Sequence, residues 1–399
     1  MKERYIVLRS PLAATRDPFS APLATFASFT IPEVHAANLL VDTQDLSPKE
    51  VPGVARSADV LALAPAIPMR LIAPKDVPFP SEPQNTLVAW GIKAVEADTS
   101  PFTGEGIVVA VLDTGIDASH PAFIGIELVQ RDFTGQGNGD TVGHGTHCAG
   151  TIFGRDVEGQ RIGVARGVKK ALIGKVINVN GGSSEGIVSA IQWAVENGAN
   201  VISMSLGLDF PGFEKQLRAK GLPDELATSR ALEGYRANVV LFERMAGLVQ
   251  ALGAFSRAAI IVAAAGNESR RDENPDFEIG VSPPAVADGI ISVAALGQSP
   301  TGLTVAPFSN TGASVAGPGV GIVSAKAGGG LTTMSGTSMA TPHVAGVAAL
   351  WAEKINSQGS LNNSSLTARL VGTAGYSALK QGFDITDVGR GLVRAPQEQ

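Results

Sequence analysis

Three segments of this chain carry side chains that could move a proton and attack a carbonyl. Ser338 lies in Gly336-Thr337-Ser338-Met339-Ala340, inside a stretch (331–351) whose small residues Ala340, Ala345, Gly346, Ala348 and Ala349 suit a helix packed on all sides. Pro342 predicts that this helix begins close to Ser338, because a first turn has backbone N–H groups without intrahelical partners and tolerates proline. The positive end of a helix favours developing negative charge, which is what acyl transfer needs. A neutral hydroxyl is a poor nucleophile, so an imidazole must take its proton and a carboxylate must hold that imidazole in one tautomer. His144, between Gly143 and Gly145, and Asp113, at the end of an apolar run, supply these groups. Taken singly, each residue also has an ordinary reading: an N-cap serine, a turn aspartate, a histidine in a tight loop.

The elements that must position these groups alternate. Residues 106–112, GIVVAVL, form a short apolar run rich in β-branched residues, as a strand buried on both faces requires, and similar runs recur at 171–177, 201–204, 259–263 and 289–294. Between them lie helical patterns at 184–197, with Ile187, Ile191, Ala194 and Val195 on one face, and at 224–256, with Leu232, Tyr235, Val239, Phe242, Met245, Val249 and Leu252. This alternation predicts an α/β fold, a parallel sheet flanked by helices, whose ligands meet the carboxyl ends of the strands. Asp113 stands at one such end and AAAGN267 at another.

Composition narrows the function. With 44% hydrophobic and 17% charged residues over 399 positions the chain is of ordinary globular type. A net charge of -6 offers no basic surface for nucleic acid, and no apolar run approaches the roughly 20 residues of a membrane span. The single cysteine excludes an internal disulfide, and MKERYIVLRSP lacks the apolar core of a secretory signal. Both features predict a cytoplasmic location.

Together the three segments resemble the subtilisin-like serine peptidases, or subtilases: AVLDTGID around Asp113, GHGTHCAGT around His144 and SGTSMATPHVAG around Ser338. The order Asp, His, Ser is that of subtilisin itself. The resemblance covers about 89–392 and implies a serine endopeptidase acting on extended polypeptides. Ser338 would be nucleophile, His144 general base and then acid, and Asp113 the orienting carboxylate. Asn267 would supply the oxyanion donor. The resemblance further implies that Gly181 and Gly182 form one edge of the substrate cleft and Ser205, Leu206 and Gly207 the other. Ala264, Ala265 and Gly266 would line the first specificity pocket, with Ser282 at its base and Glu268 at its rim admitting a basic side chain. His120 and His343 would be structural, and Cys148, one helical turn after His144, would lie under the imidazole.

Ahead of this region, strands at 5–8 and 59–65 predict a small α+β unit over 1–75, and KERYIVLRS and DVLALAPAIPMRLI resemble the first and last strands of the family's inhibitory propeptide. The expectation is that residues 1 to about 80 occupy the cleft until cut or displaced. Pro65, Pro68, Pro74, Pro78, Pro80 and Pro83 predict extended connection, with a linker over 76–88 and a catalytic domain over 89–399. Residues 209–258 are longer than in short subtilases, with FPGF at 210–213 as lead-in to the amphipathic helix. No cofactor is expected for the chemistry and no metal at the site. Structural calcium occurs in many relatives, but the loop 154–159 departs from the usual pattern. Alternative readings are a specialised processing protease or transpeptidase, and an autoinhibited protease-like binding protein.

Overall fold

The computed structural model describes residues 2–9, 40–77, 87–253, 258–359 and 361–398. His35 and Pro78, Pro80 and Pro83 of the expected linker lie outside them. The N-terminal unit contains strands β1 (Glu3–Arg9) and β2 (Leu40–Leu46), the short helix α1 (Val51–Ala55) and strand β3 (Val60–Pro65). These strands pair antiparallel in the order β2-β1-β3. Ile6, Val7, Leu8, Leu46, Ala62 and Ala64 are its buried apolar residues, and its other described positions are largely solvent-facing. Strand β4 (Pro68–Leu71) follows but leaves this sheet for the cleft described below. Pro68 is its first residue, where a missing N–H costs a strand least.

The larger part of the chain runs through helix α2 (Trp90–Ala94), strands β5 (Val108–Asp113) and β6 (Glu127–Asp132), helix α3 (His144–Phe153) and strands β7 (Lys170–Lys175), β8 (Ile177–Asn178) and β9 (Gly181–Ser183). Helix α4 (Ser184–Glu196), strands β10 (Val201–Met204) and β11 (Leu206–Leu208), and helices α5 (Phe210–Ala219) and α6 (Asp224–Gly253) come next. Strands β12 (Ile260–Ala264), β13 (Ile290–Ser299), β14 (Gly302–Val305) and β15 (Val315–Pro318) precede the hairpin of β16 (Ile322–Ala325) and β17 (Leu331–Met334). Helices α7 (Thr337–Ser357), α8 (Asn363–Gly372) and α9 (Ile385–Val388) complete the set.

The main sheet has the order β14-β13-β12-β10-β5-β7-β6, with β15 also on β13; all of its pairings are parallel except β13 with β14. Every residue of β5, β10 and β12 is buried, which explains their unbroken apolar sequences. Helix α7 packs on β10, β12, β13 and β15 and on α3, as its small residues predict. The fold is thus the expected α/β arrangement, preceded by an antiparallel N-terminal unit.

Two local readings change. Residues 210–219 are a helix, α5, where the sequence suggested a lead-in: Asp209 caps it by accepting from Gly212 N, and Pro211 stands in its first turn. Pro342 lies in the second turn of α7, not the first. The carbonyl it leaves without a partner is that of Ser338.

Candidate active site

The site is assembled where β5, α3 and α7 meet. Asp113 ends β5, His144 opens α3, and His144 Nδ1 lies 2.7 Å from Asp113 Oδ1 with both side chains buried. A side chain at Gly145 would collide with the Gly115 backbone and stand 3.2 Å from Asp113 Cβ, so glycine there lets helix and strand end approach. Asp140, which sequence reasoning passed over, fixes the approach. It accepts from Gly143 N (2.8 Å), Thr146 N (2.9 Å), Thr146 Oγ1 (2.7 Å) and Thr114 Oγ1 (2.9 Å), while Thr114 Oγ1 accepts from Gly145 N. An acidic residue just ahead of a helix start was the available signal.

Burial opposes a charged imidazole at His144, but Asp113 and Cys148, by charge and hydrogen bond together, outweigh it and hold the His144 pKa well above the ordinary histidine range. Burial in turn pushes the thiol of Cys148 upward. Its Sγ lies 3.8 Å from His144 Nδ1 and 3.3 Å from the Ser338 carbonyl oxygen, in contact with both. Ser205 Oγ donates to the same Ser338 carbonyl at 3.3 Å. These two groups satisfy the acceptor that Pro342 leaves free, which ties α7 to α3 and to the end of β10.

Ser338 is the second residue of α7, in the turn whose N–H groups lack helical partners. Its Oγ donates to the carbonyl of Ile72 at 2.9 Å. His144 Nε2 is buried without a hydrogen-bond partner. Asn267 follows β12 and is held rigidly: its Oδ1 accepts from Thr337 N (2.9 Å) and Thr337 Oγ1 (2.8 Å), which turns Nδ2 into the groove, where it donates to Ala73 O at 2.9 Å. The Ser338 hydroxyl and the Asn267 amide thus meet successive carbonyls of residues 72–73 of the same chain, and Cys148, in contact with both, ties His144 to the backbone of Ser338.

The groove is bounded by β9 and β11, and β4 completes a sheet of order β11-β4-β9-β8. Register pairs Leu206 with Leu71, Gly207 with Arg70 and Leu208 with Met69 on one edge, and Gly182 with Met69 on the other, all antiparallel. Gly181 and Gly182 thus border β4 opposite Leu206 and Gly207. Ile72 is 2% exposed; its Cγ1 lies 3.5 Å from where a Gly207 Cβ would stand, with Ser282 Oγ at 3.6 Å from the same point. Ser282 N and Oγ both donate to Ala265 O, and Ala264, Ala265 and Gly266 are buried alongside. Beyond Ile72 the chain continues unbroken, with Lys75 N donating to Ser335 O at 2.8 Å.

Glu268 meets a basic side chain, but one two residues ahead of Ile72: its carboxylate lies 2.8 Å from Arg70. Physically, the 198-residue separation of that pair hides it from any local reading.

The other described histidines are tied to backbone. His120 Nε2 bonds Gly330 O, His343 Nδ1 donates to Met339 O and His147 Nε2 to Ile322 O. Burial lowers His147 to about 3 and His343 to about 4, so both stay neutral. Among the described residues, Asp113, His144 and Cys148 offer donors within 4.8 Å of one another that could take a soft metal ion, at the expense of the Asp113 to His144 hydrogen bond. No helix in the described residues is long and apolar enough to cross a membrane.

Comparison with known proteins agrees with this architecture. The subtilase family model matches residues 104–392. An intracellular serine protease of Paenibacillus polymyxa is 33% identical over 73% of this chain and 81% of its own length, and subtilisin DY of Bacillus licheniformis is 34% identical over 72% and 91%. Among solved structures, fervidolysin of Fervidobacterium pennivorans, titled a keratinolytic enzyme related to subtilisin, matches with a TM-score of 0.65 at 22% identity. That match covers 99% of this chain and 60% of fervidolysin, and it speaks to the fold. Sphericase matches with a TM-score of 0.56 at 29% identity over 78% of this chain and 99% of its own. By the family match, the identities and the shared fold, the chain belongs to the subtilase family, as a subtilisin-like serine protease.

Proposed function

We propose that the chain is an endopeptidase that attacks extended polypeptides through Ser338, and that its N-terminal unit is an intramolecular inhibitor seated in the cleft. The observation that carries this reading is the course of residues 68–75, paired between β9 and β11 with the Ile72 carbonyl against Ser338 Oγ. Backbone pairing of this kind holds a peptide with little demand on its sequence.

In this reading the ground state is poised one step short of reaction. His144 Nε2 is unpartnered and Ser338 Oγ donates to Ile72 O. Attack begins when the hydroxyl turns to His144 Nε2 and the Ile72 carbonyl turns toward Asn267 Nδ2 and the Ser338 N–H. The proton passes from Oγ to Nε2, the Oγ–C bond forms, and the oxyanion is held by the two donors. His144 then protonates the departing amine as the C–N bond breaks, and water repeats the sequence to release the acyl group. Asp113 holds Nδ1–H throughout and stabilises the imidazolium. No metal takes part in these steps.

Covalent labelling tests the reading. A fluorophosphonate should modify Ser338 alone, and His144→Ala should abolish the labelling. A folded chain with an accessible cleft that resists labelling would overturn it, and would return the chain to the class of protease-like binding proteins.

A further inference from the structure

The segment in the cleft reports on more than the scissile residue. Arg70 stands opposite Gly207, two residues ahead of Ile72, and its guanidinium reaches Glu268 at 2.8 Å and Asp209 at 3.8 Å. We propose that Glu268 and Asp209 form an acidic subsite which selects a basic side chain, arginine above all, two residues before the attacked carbonyl. The proposal rests on the reading of β4 as a substrate-like strand.

Both carboxylates are held in place by groups other than Arg70. Glu268 Oε2 accepts from Asn310 Nδ2 at 2.7 Å, and Asn310 is fully buried, with Nδ2 also donating to Ala265 O and Gly280 O. Asn310 Oδ1 accepts from Glu268 N and Ser269 N, which fixes the backbone as well. A side chain at Gly266 would collide with both Asn310 and Glu268, so this glycine leaves room for the carboxylate beside the first pocket. Asp209 caps α5, and its own N–H donates to Pro68 O, which locks it to the segment it borders. When β4 leaves the cleft, two fixed carboxylates lose the cation they share. Their mutual repulsion then favours an incoming cation, and guanidinium suits a carboxylate by shape as well as charge.

Arg70 is 43% exposed, so solvent and salt weaken the pair. The expected selectivity is about three- to tenfold, in keeping with partly exposed ion pairs. Three peptides ending their acyl side in Ile and differing only at the residue two before it, Arg, Gln or Glu, are offered to the full-length chain at low and high salt. The Arg peptide should lead in kcat/KM and the Glu peptide should trail, with the spread shrinking at high salt. The double variant Glu268→Gln, Asp209→Asn should bring all three within about twofold of one another, asparagine still serving as a cap. Glu268→Lys should turn the preference toward the Glu peptide, which loss of fit alone would not do. Equal turnover of the three by the parent chain, or a preference kept by the double variant, overturns the subsite and leaves the peptidase reading standing. No turnover together with no fluorophosphonate label at Ser338 overturns both. Where Ser338 labels but the seated segment excludes every peptide, Arg70→Gln decides: labelling of the uncut chain should quicken by the same factor, and an unchanged rate overturns the subsite.

Discussion

The N-terminal unit and the catalytic domain meet in one groove, yet they are built in opposite ways. The catalytic domain carries Asp113 and Asn267 at or just beyond the ends of strands whose every residue is buried, and it carries His144 and Ser338 in the first turns of buried helices. The N-terminal unit buries only Leu46 of β2, and it sets Arg4 against Asp45 and Arg9 against Asp59 near its surface. It is attached through β3, which packs on α6, where Asn238 Nδ2 donates to Pro65 O and Arg230 reaches Glu3 at 3.5 Å, and through β4 in the cleft. Rigid burial suits a site that must hold its geometry through reaction. A unit held by a few edges and one strand suits the displaceable part proposed above, and helices α6 and α5 provide footing for its strand β3 and for β4.

The contrast can be broken at several points. Asn267→Ala should have the largest effect in the series, on the order of 10² to 10³ in kcat, the size known for the matching donor in subtilisin. Because Thr337 fixes this amide, loss of KM discrimination without loss of kcat would argue that Asn267 only positions the chain. Ile72→Glu should act on the other side of the comparison. A carboxylate forced into the pocket beside Ser282 and Ala265 should loosen β4 and speed fluorophosphonate labelling of Ser338 by about 10- to 100-fold. An unchanged rate would mean that the groove is not held shut by Ile72.

pH gives a smaller and graded effect. His144 must be neutral to accept the Ser338 proton, and its raised pKa puts the rising limb of kcat/KM above the ordinary histidine value near 6.5. Stability follows a different pair. His147 and His343 have folded pKa values of about 3 and about 4, below the unfolded value, so the unfolded chain binds more protons and stability falls as pH drops from about 6.5 toward those values. His147→Gln should flatten that acid limb, as read from the thermal midpoint against pH, and leave the kcat/KM limb where it was.

How much of this was legible in the chain varies with the range of the interaction. Strands β5, β7, β10, β12 and β13 could be read because burial forces continuous apolar runs, whereas the partly exposed β6 and β14 and the four-residue β15 carry no such run and went unread; the residues around Asp113, His144 and Ser338 stand in long local motifs. The start of α7 was readable, but the place of Pro342 was not, because Ser205 and Cys148 answer the carbonyl it frees from distant parts of the chain. Helix α5 went unread although Asp209 and Pro211 mark its start, since Gly212 weakens the pattern. The prolines around β4 suggested a connector. Its pairing with Gly182 and Gly207 follows from no local property of residues 68–71; only the resemblance to the family's propeptide directed the N-terminal region to the cleft. The ion pair of Arg70 with Glu268 belongs to the same class.

The most direct test of the account is the intact mass of the full-length chain after incubation. If Ser338 attacks the carbonyl that lies against its Oγ, the parent chain yields fragments divided between Ile72 and Ala73, and Ser338→Ala stays whole under the same conditions. Division at another bond within 68–75, or equal division in the Ser338→Ala chain, would contradict it.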